Sequence, residues 1–138
     1  MHELAQYRLD ARGRPVEAVL AQHSGAERCP WREVARHDGH PVVFVANGSH
    51  AAYLRPGVRD RTWPDPNDEA DGAGRVVRPA VEPIDARSPA WMRWPGRWGA
   101  SRAARWNPAE QDSPRGPVHQ PARWDPERFA REAAPCRA

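Results

Sequence analysis

Apolar residues at every second position on both sides of a turn segment predict a β-hairpin near the start of the chain. The first strand is predicted at Tyr7–Leu9 and the returning strand at Val16–Ala21. Residues two apart on a strand share a face, so one face of the returning strand carries Val16, Ala18 and Leu20. The intervening segment Asp10–Pro15 has turn chemistry, because Asp bonds to its own backbone and Gly13 tolerates a positive φ.

A second strand region is predicted at Pro41–Ala46. This run is apolar on both faces and rich in β-branched residues, which is typical of a strand that is covered on both sides. Asn47–Gly48 ends the strand, and Ser49 is placed to cap a short helical turn over His50–Arg55. Between the two strand regions, Cys29–Ala35 is predicted to hold one helical turn.

The pattern is weaker after residue 57. Residues 58–74 are predicted to form an acidic loop rich in Gly and Pro, and Arg75–Arg78 a short edge strand. Residues 87–124 have no sustained period but carry five tryptophans, which predicts an ordered, irregular wrap whose indoles lie on the sheet. The segment Asp125–Glu132 predicts a short helix, because Asp is placed at the cap and Pro126 in the first turn.

The composition fits one β-rich domain, or the C-terminal part of one, over residues 1–138. Leu, Ile, Val and Phe total only 18 of the 138 residues, which is low for a packed core. Disordered chains have few aromatic residues and a high net charge, whereas this chain has seven tryptophans and a net charge of only +3. We therefore expect a mainly β fold in which indole rings replace the missing aliphatic side chains.

The charge pattern sets expectations about partners. All 21 cationic residues are arginine, and 18 acidic residues leave a net charge of +3 over the whole chain. The stretch Arg87–Arg128 holds eight arginines and five tryptophans, so a single-strand nucleic-acid surface is conceivable. We do not expect a nucleic-acid partner, because a charge spread this thinly gives a weak field and the indoles are needed in the core.

The sequence also bears on location. No apolar run approaches the roughly 20 residues of a membrane helix, so a transmembrane segment is not expected. The start of the chain lacks the charged and apolar regions of a signal peptide, which predicts a cytoplasmic protein. An extracellular location is the alternative if the sequence continues upstream.

Several segments together resemble bacterial relatives of the vacuolar protein sorting-associated protein 62 family. The matching segments are Gly13–Val19, Gln22–Gly25, Pro41–Tyr53, Trp94–Gly99 and Glu110–Pro117, of which the Gly-Ser-His-Ala run within Pro41–Tyr53 is the most specific. The resemblance implies an antiparallel β-sandwich, distantly similar to necrosis-inducing cytolysin-like proteins. The resemblance also implies membrane-surface binding as one alternative function. Members carry an acidic, tryptophan-containing segment ahead of the first hairpin, and only Glu3 could correspond to it, so we expect the fold to be N-terminally incomplete.

Two histidines form the sharpest chemical feature of the sequence. His23 and His50 each lie at the end of an apolar strand and next to a serine. If the two strands are neighbours, one rim would hold the ligand-binding candidates His23, Ser24, Ser49, His50 and Tyr53. The leading hypothesis is a binding protein that holds a small molecule or a surface at this rim. The alternative is a structural role, in which both histidines only form hydrogen bonds to backbone carbonyls.

A metal-assisted hydrolase is the rival hypothesis at the same place. His23 and His50 with a carboxylate from Glu3 or Asp112 would suit a divalent metal that activates water. A serine nucleophile is not expected at Ser49, because adjacent side chains on a strand point apart and no nucleophile elbow surrounds it.

The two cysteines, Cys29 and Cys136, are far apart in the chain. A disulfide between them would fasten the C-terminal helix to the body of the protein, whereas two free thiols are the alternative. The spacing of the cysteines does not suggest a structural zinc site.

Overall fold

The computed structural model describes residues 3–23, 25–61, 67–80, 90–99 and 112–136. Within these ranges the chain is mainly strand, with several antiparallel sheets and a short helix near the C-terminus. The strands are β1 (Ala5–Leu9), β2 (Pro15–Gln22), β3 (Gly25–Pro30), β4 (Arg36–His37), β5 (His40–Pro41), β6 (Phe44–Val45), β7 (Ala52–Tyr53), β8 (Gly57–Arg59), β9 (Asp68–Ala70) and β10 (Ala134–Pro135). The α-helices are α1 (Pro121–Trp124) and α2 (Pro126–Glu132), and 3-10 turns occupy Trp31–Glu33, Ala90–Arg93 and Pro117–His119.

The chain divides into two compact units. The first, called here the β unit, comprises His2–Gly74 and Pro126–Ala138. The second, called here the arginine–tryptophan unit, comprises Arg75–Asp125 together with Met1. The described strands all belong to the β unit.

A four-stranded sheet in the order β1-β2-β3-β10 organises the β unit. The predicted hairpin is confirmed, since β1 pairs with β2 antiparallel and Tyr7 lies opposite Ala18. Its turn has the expected chemistry: Asp10 Oδ1 accepts hydrogen bonds from two backbone amides of the turn, and Gly13 takes a φ of 74°. β3 continues the sheet antiparallel to β2, and β10 joins β3 in parallel.

Both faces of this sheet are covered within the β unit. On one face, Ala18 and Leu20 of β2 pack with Ala52 and Leu54 from the β7 region. On the other face, Val19 and Ala21 pack against α2 through Phe129, Ala130 and Ala133. The predicted C-terminal helix is thus present at Pro126–Glu132, and its apolar side closes the second face.

Three local predictions between residues 41 and 78 are wrong. The run Pro41–Ala46 is divided between β5 and β6, because β5 pairs with β4 while β6 pairs with β7. Residues His50–Arg55 contain β7 instead of a helical turn, and the backbone of His50 has a φ of 63°. The segment Arg75–Arg78 is exposed and forms no strand.

The expected acidic loop also contains structure. Its described residues include most of β8 and all of β9, which pair antiparallel with Arg59 opposite Asp68. Residues 62–66, between these strands, lie outside the described ranges.

The indoles do not supply the core as expected. Trp91 is 37% exposed, Trp94 46% and Trp98 37%, while the buried apolar residues are mainly alanine, with Phe129, Tyr53, Leu20 and Leu54 as the largest. Trp31 is half-buried against the core cluster of the β unit. Small alanine side chains let the strands and α2 approach closely, so the core is compact without many large residues. Trp63 and Trp106 lie outside the described ranges.

A disulfide joins Cys29 in β3 to Cys136, which follows β10. The Cα atoms of the two residues are 5.3 Å apart, and the backbone N–H of Cys136 donates to the carbonyl of Arg28. The covalent bond and the parallel pairing of β10 with β3 together hold the C-terminal segment against the sheet.

Candidate functional site

A buried carboxylate forms the centre of the candidate site. Asp68, the first residue of β9, is 1% exposed. Its Oδ2 accepts a hydrogen bond of 2.5 Å from the hydroxyl of Tyr53 and lies 2.6 Å from Nε2 of His23. Three segments that are distant in the sequence therefore meet at one oxygen atom.

The backbone of the β unit brings these three segments together. His23 directly follows β2 and has a φ of 39°, so the chain turns sharply where the imidazole leaves the sheet. Tyr53 lies in β7, which packs on β2 through the core. The amide of Asn47, in the turn between β6 and β7, donates to the carbonyl of Glu69 and so ties that turn to β9.

The carboxylate of Asp68 is held in its charged form. Burial alone would raise the pKa of Asp68, but the hydroxyls of Ser49 and Tyr53 and the imidazole of His23 stabilise the charge more strongly. The pKa of Asp68 is therefore lowered from its ordinary value. An ionised carboxylate can only accept hydrogen bonds, so the contact with His23 requires a proton on Nε2 of the imidazole.

Tyr53 is held in the opposite, neutral form. Burial raises its pKa, and the hydrogen bond that it donates to Asp68 raises the pKa further. The guanidinium carbon of Arg59 lies 5.1 Å from the centroid of the Tyr53 ring and acts in the opposite direction. Tyr53 thus has an arginine at its ring and a carboxylate at its hydroxyl.

The structure brings together some of the predicted rim and not all of it. His23 and Tyr53 contact Oδ2 of Asp68, and the hydroxyl of Ser49, which accepts from the amide of Ala51, contributes to the lowered pKa of Asp68. His50 is exposed, and its side chain makes no hydrogen bond or ion pair within the described ranges, although its backbone N–H donates to the carbonyl of Ala46. Ser24 lies outside the described residues.

The metal hypothesis receives no structural support. The described residues contain no group of three or more His, Cys, Asp or Glu side chains that could hold a metal ion. The proposed ligands Glu3, His23, His50 and Asp112 are all among them. Asp112 instead forms an ion pair of 3.1 Å with Arg97 in the arginine–tryptophan unit. His23 is directed to a carboxylate, and that carboxylate, Asp68, is not one of the two that the hypothesis named.

Asp68 is the central residue of the candidate site, and the sequence interpretation missed it. It lies in a stretch with four other acidic residues between positions 60 and 71, which together indicated a solvated loop. Two acidic residues followed by an alanine carry no strand signal, and only the structure shows that Asp68 and Ala70 share one buried face of β9.

Comparisons with known proteins add no relative. No protein-family model matches the chain, and the searches of curated proteins and of solved structures give no match either. In the part of the chain that the structure describes, no helix is both long and apolar enough to cross a membrane.

Proposed function

We propose that the protein is a binding protein whose ligand site is the rim around Asp68. The observation that carries this proposal is the buried carboxylate, which holds the imidazole of His23 at 2.6 Å while the side chain of His23 is one-fifth exposed. A charged group is costly to bury, and here it fixes a partly exposed imidazole in one orientation. A fixed, partly exposed imidazole is suited to ligand recognition.

The chemistry of the rim favours a small ligand with anionic oxygen atoms. Arg59, which packs on the ring of Tyr53, is always charged and can only donate hydrogen bonds. The negative charge of Asp68 is buried and already accepts two contacts at Oδ2, one of them from the Nε2–H of His23, so the free donors that a ligand would meet are those of Arg59.

Binding can be tested by thermal unfolding with three probes: inorganic phosphate, sulfate and citrate. A ligand that binds only the folded state raises the unfolding midpoint with concentration. We expect at least one probe to raise the midpoint of the natural protein, and both His23→Gln and Arg59→Gln to reduce that rise. His40→Gln and Arg12→Gln, which alter exposed residues of the same unit, are the matched controls. Equal rises in all variants, or no rise with any probe, would contradict the proposal.

We also propose that the fold is an antiparallel β-sandwich of the kind found in relatives of the vacuolar protein sorting-associated protein 62 family. The proposal is supported by the packing of β7 on one face of the four-stranded sheet. An experimental structure tests it: β6–β7 and β8–β9 should belong to a second layer that faces the first.

We further propose that the protein works in an oxidising compartment, which corresponds to the extracellular alternative. The disulfide supports this placement, because such bonds persist outside the reducing cytosol. Alkylation of unreduced protein from its native source should leave both cysteines unmodified, whereas labelling of both would contradict the placement.

A further inference from the structure

A cleft lined by indole rings lies within the arginine–tryptophan unit. Its volume is about 500 Å³, and it is lined by Ala90, Trp91, Trp94, Arg97 and Trp98. This volume lies in the range of small-ligand sites in proteins. Trp91, Trp94 and Trp98 expose a large apolar area to water. Because the three indoles lie around one cleft, we expect a binding partner to cover this surface when the protein functions.

Local contacts fix the walls of this cleft. The indole N–H of Trp94 donates to the carbonyl of Arg97, and the amide of Trp98 donates to the carbonyl of Pro114. The guanidinium of Arg97 donates to the carbonyl of Ser113 and pairs with Asp112. These contacts hold the indole of Trp94, the backbone of Trp98 and the side chain of Arg97 in place, which reduces the entropy cost of binding a ligand.

The positive charge of the chain is concentrated in the same unit. Residues Arg75–Asp125 contain nine arginines and five acidic residues, a net charge of +4, whereas the rest of the chain has a net charge of −1. Arg93 is exposed and lies in the same 3-10 turn as Trp91. The charge is therefore not spread thinly over the chain, and a polyanion is the complementary partner.

We propose that this cleft binds single-stranded nucleic acid. Bases stack on the indoles of Trp91, Trp94 and Trp98, and Arg93 contacts phosphate. Aromatic platforms combined with positive charge are the general means of binding unpaired strands, because every base has a stacking face. The sequence argued against nucleic acid because the charge was thinly spread and the indoles were needed in the core. Neither objection holds for this cleft, since its indoles are exposed and its unit carries the positive charge.

An anionic membrane surface is the competing partner. Indoles and arginines also favour the lipid interface. The three indoles and Arg97 line one open, shallow depression, where apolar rings lie beside positive charge. An unpaired strand carries planar bases beside phosphates, so we argue for nucleic acid, and the vesicle arm of the test below detects a membrane partner.

The direct test is fluorescence anisotropy of a labelled oligothymidylate of about ten nucleotides, within the usual site sizes, titrated with the full chain. An abasic oligomer of equal length separates stacking from charge. We expect the oligothymidylate to bind more tightly, and Trp98→Ala to weaken its binding roughly five- to hundred-fold. Trp31→Phe, which alters an indole of the β unit, is the control. Quenching of tryptophan fluorescence by the oligomer tests stacking without any substitution.

The salt dependence tests the phosphate contact. Arg93→Gln should reduce the slope of log affinity against log salt concentration by about 0.7, while Arg12→Gln should leave it unchanged. Equal binding of the abasic oligomer, or no effect of Trp98→Ala, would overturn the proposal. Binding to phosphatidylserine vesicles without binding to the oligomer would assign the cleft to membranes instead. His23→Gln should not affect oligomer binding, so this test is independent of the ligand site around Asp68.

Discussion

Nε2 of His23 lies 2.6 Å from Oδ2 of Asp68, although 45 residues separate the two in the chain. The contact joins the end of β2 to the start of β9, and Tyr53 of β7 donates to the same oxygen. Hydrogen bonds around a buried charge depend on one another, so the loss of one member affects the rest.

Asp68→Asn should destabilise the protein by about 2 to 3 kcal/mol, because the hydrogen bonds from Tyr53 and His23 lose their charged acceptor. Urea unfolding at neutral pH measures this change. Glu69→Gln alters the exposed neighbour on the same strand and should change the unfolding free energy by less than about 0.5 kcal/mol. If both substitutions had the same small effect, the carboxylate would not hold the segments together.

The contribution of Asp68 to stability should be lost in acid. Folding lowers the pKa of Asp68, so its stabilisation is fully present above the ordinary carboxyl pKa of about 4 and disappears as the pH falls through the folded value. The difference in unfolding free energy between the natural protein and Asp68→Asn should therefore shrink below about pH 4. Other carboxyl groups titrate in both proteins and cancel. A difference that stays constant down to pH 2 would disagree with the lowered pKa.

Tyr53 should show the opposite dependence on pH. Folding raises the pKa of Tyr53, so its stabilisation is fully present below the ordinary value of about 10 and is lost as the pH rises toward the folded value. At neutral pH, Tyr53→Phe should cost about 1.5 to 3 kcal/mol, since the lost hydrogen bond has a charged acceptor. The difference should narrow above about pH 10. Unfolding curves of both proteins at neutral pH and above pH 10 measure this difference, and tyrosinate absorbance follows the ionisation of Tyr53. If Tyr53 ionised at its ordinary pKa in the folded protein, the prediction would be contradicted.

Phe129→Ala should destabilise the protein by about 3 to 4 kcal/mol, because the buried ring fills the space between α2 and β2. Arg131→Ala removes an exposed side chain from the same helix and serves as the control. Thermal or urea unfolding of the two variants shows whether α2 is packed against β2 through Phe129 or lies on the sheet without stabilising the protein. In the second case the two variants would unfold alike.

Reduction of the Cys29–Cys136 bond should lower the unfolding free energy by about 3 to 5 kcal/mol, because the bond closes a long loop with a sequence separation of 107. Urea unfolding with and without dithiothreitol measures the effect. Cys136→Ala should already have the lower stability and should not respond to the reductant. An unchanged midpoint in the natural protein would show that the bond is absent in solution.

Elements with a local signal could be predicted from the sequence. β2 is an apolar run that directly follows a turn segment, Asp10 and Gly13 specify that turn, and α2 begins at a proline that follows an aspartate. β3 carries no such pattern, because Glu27 and Arg28 occupy its centre. It is a strand because β2 and β10 pair with its two sides, and its glutamate accepts a hydrogen bond of 2.6 Å from the amide of Leu54.

The candidate site could likewise be predicted only where its residues have a local signal in the sequence. His23 and Tyr53 stood out because they lie near strand ends in the sequence. Asp68 did not, since its burial depends on the pairing of β9 with β8 and on contacts from distant segments. His50 was favoured by its neighbours in sequence, but the backbone there turns with a positive φ and the side chain remains exposed.

The disulfide between Cys29 and Cys136 encloses most of the chain, including Tyr53 and Asp68. A single proteolytic cut anywhere in that interval would open a covalent ring without releasing a fragment. Both pieces would migrate as one species until a reductant separated them, so a nicked molecule could keep its buried carboxylate and the residues around it in place.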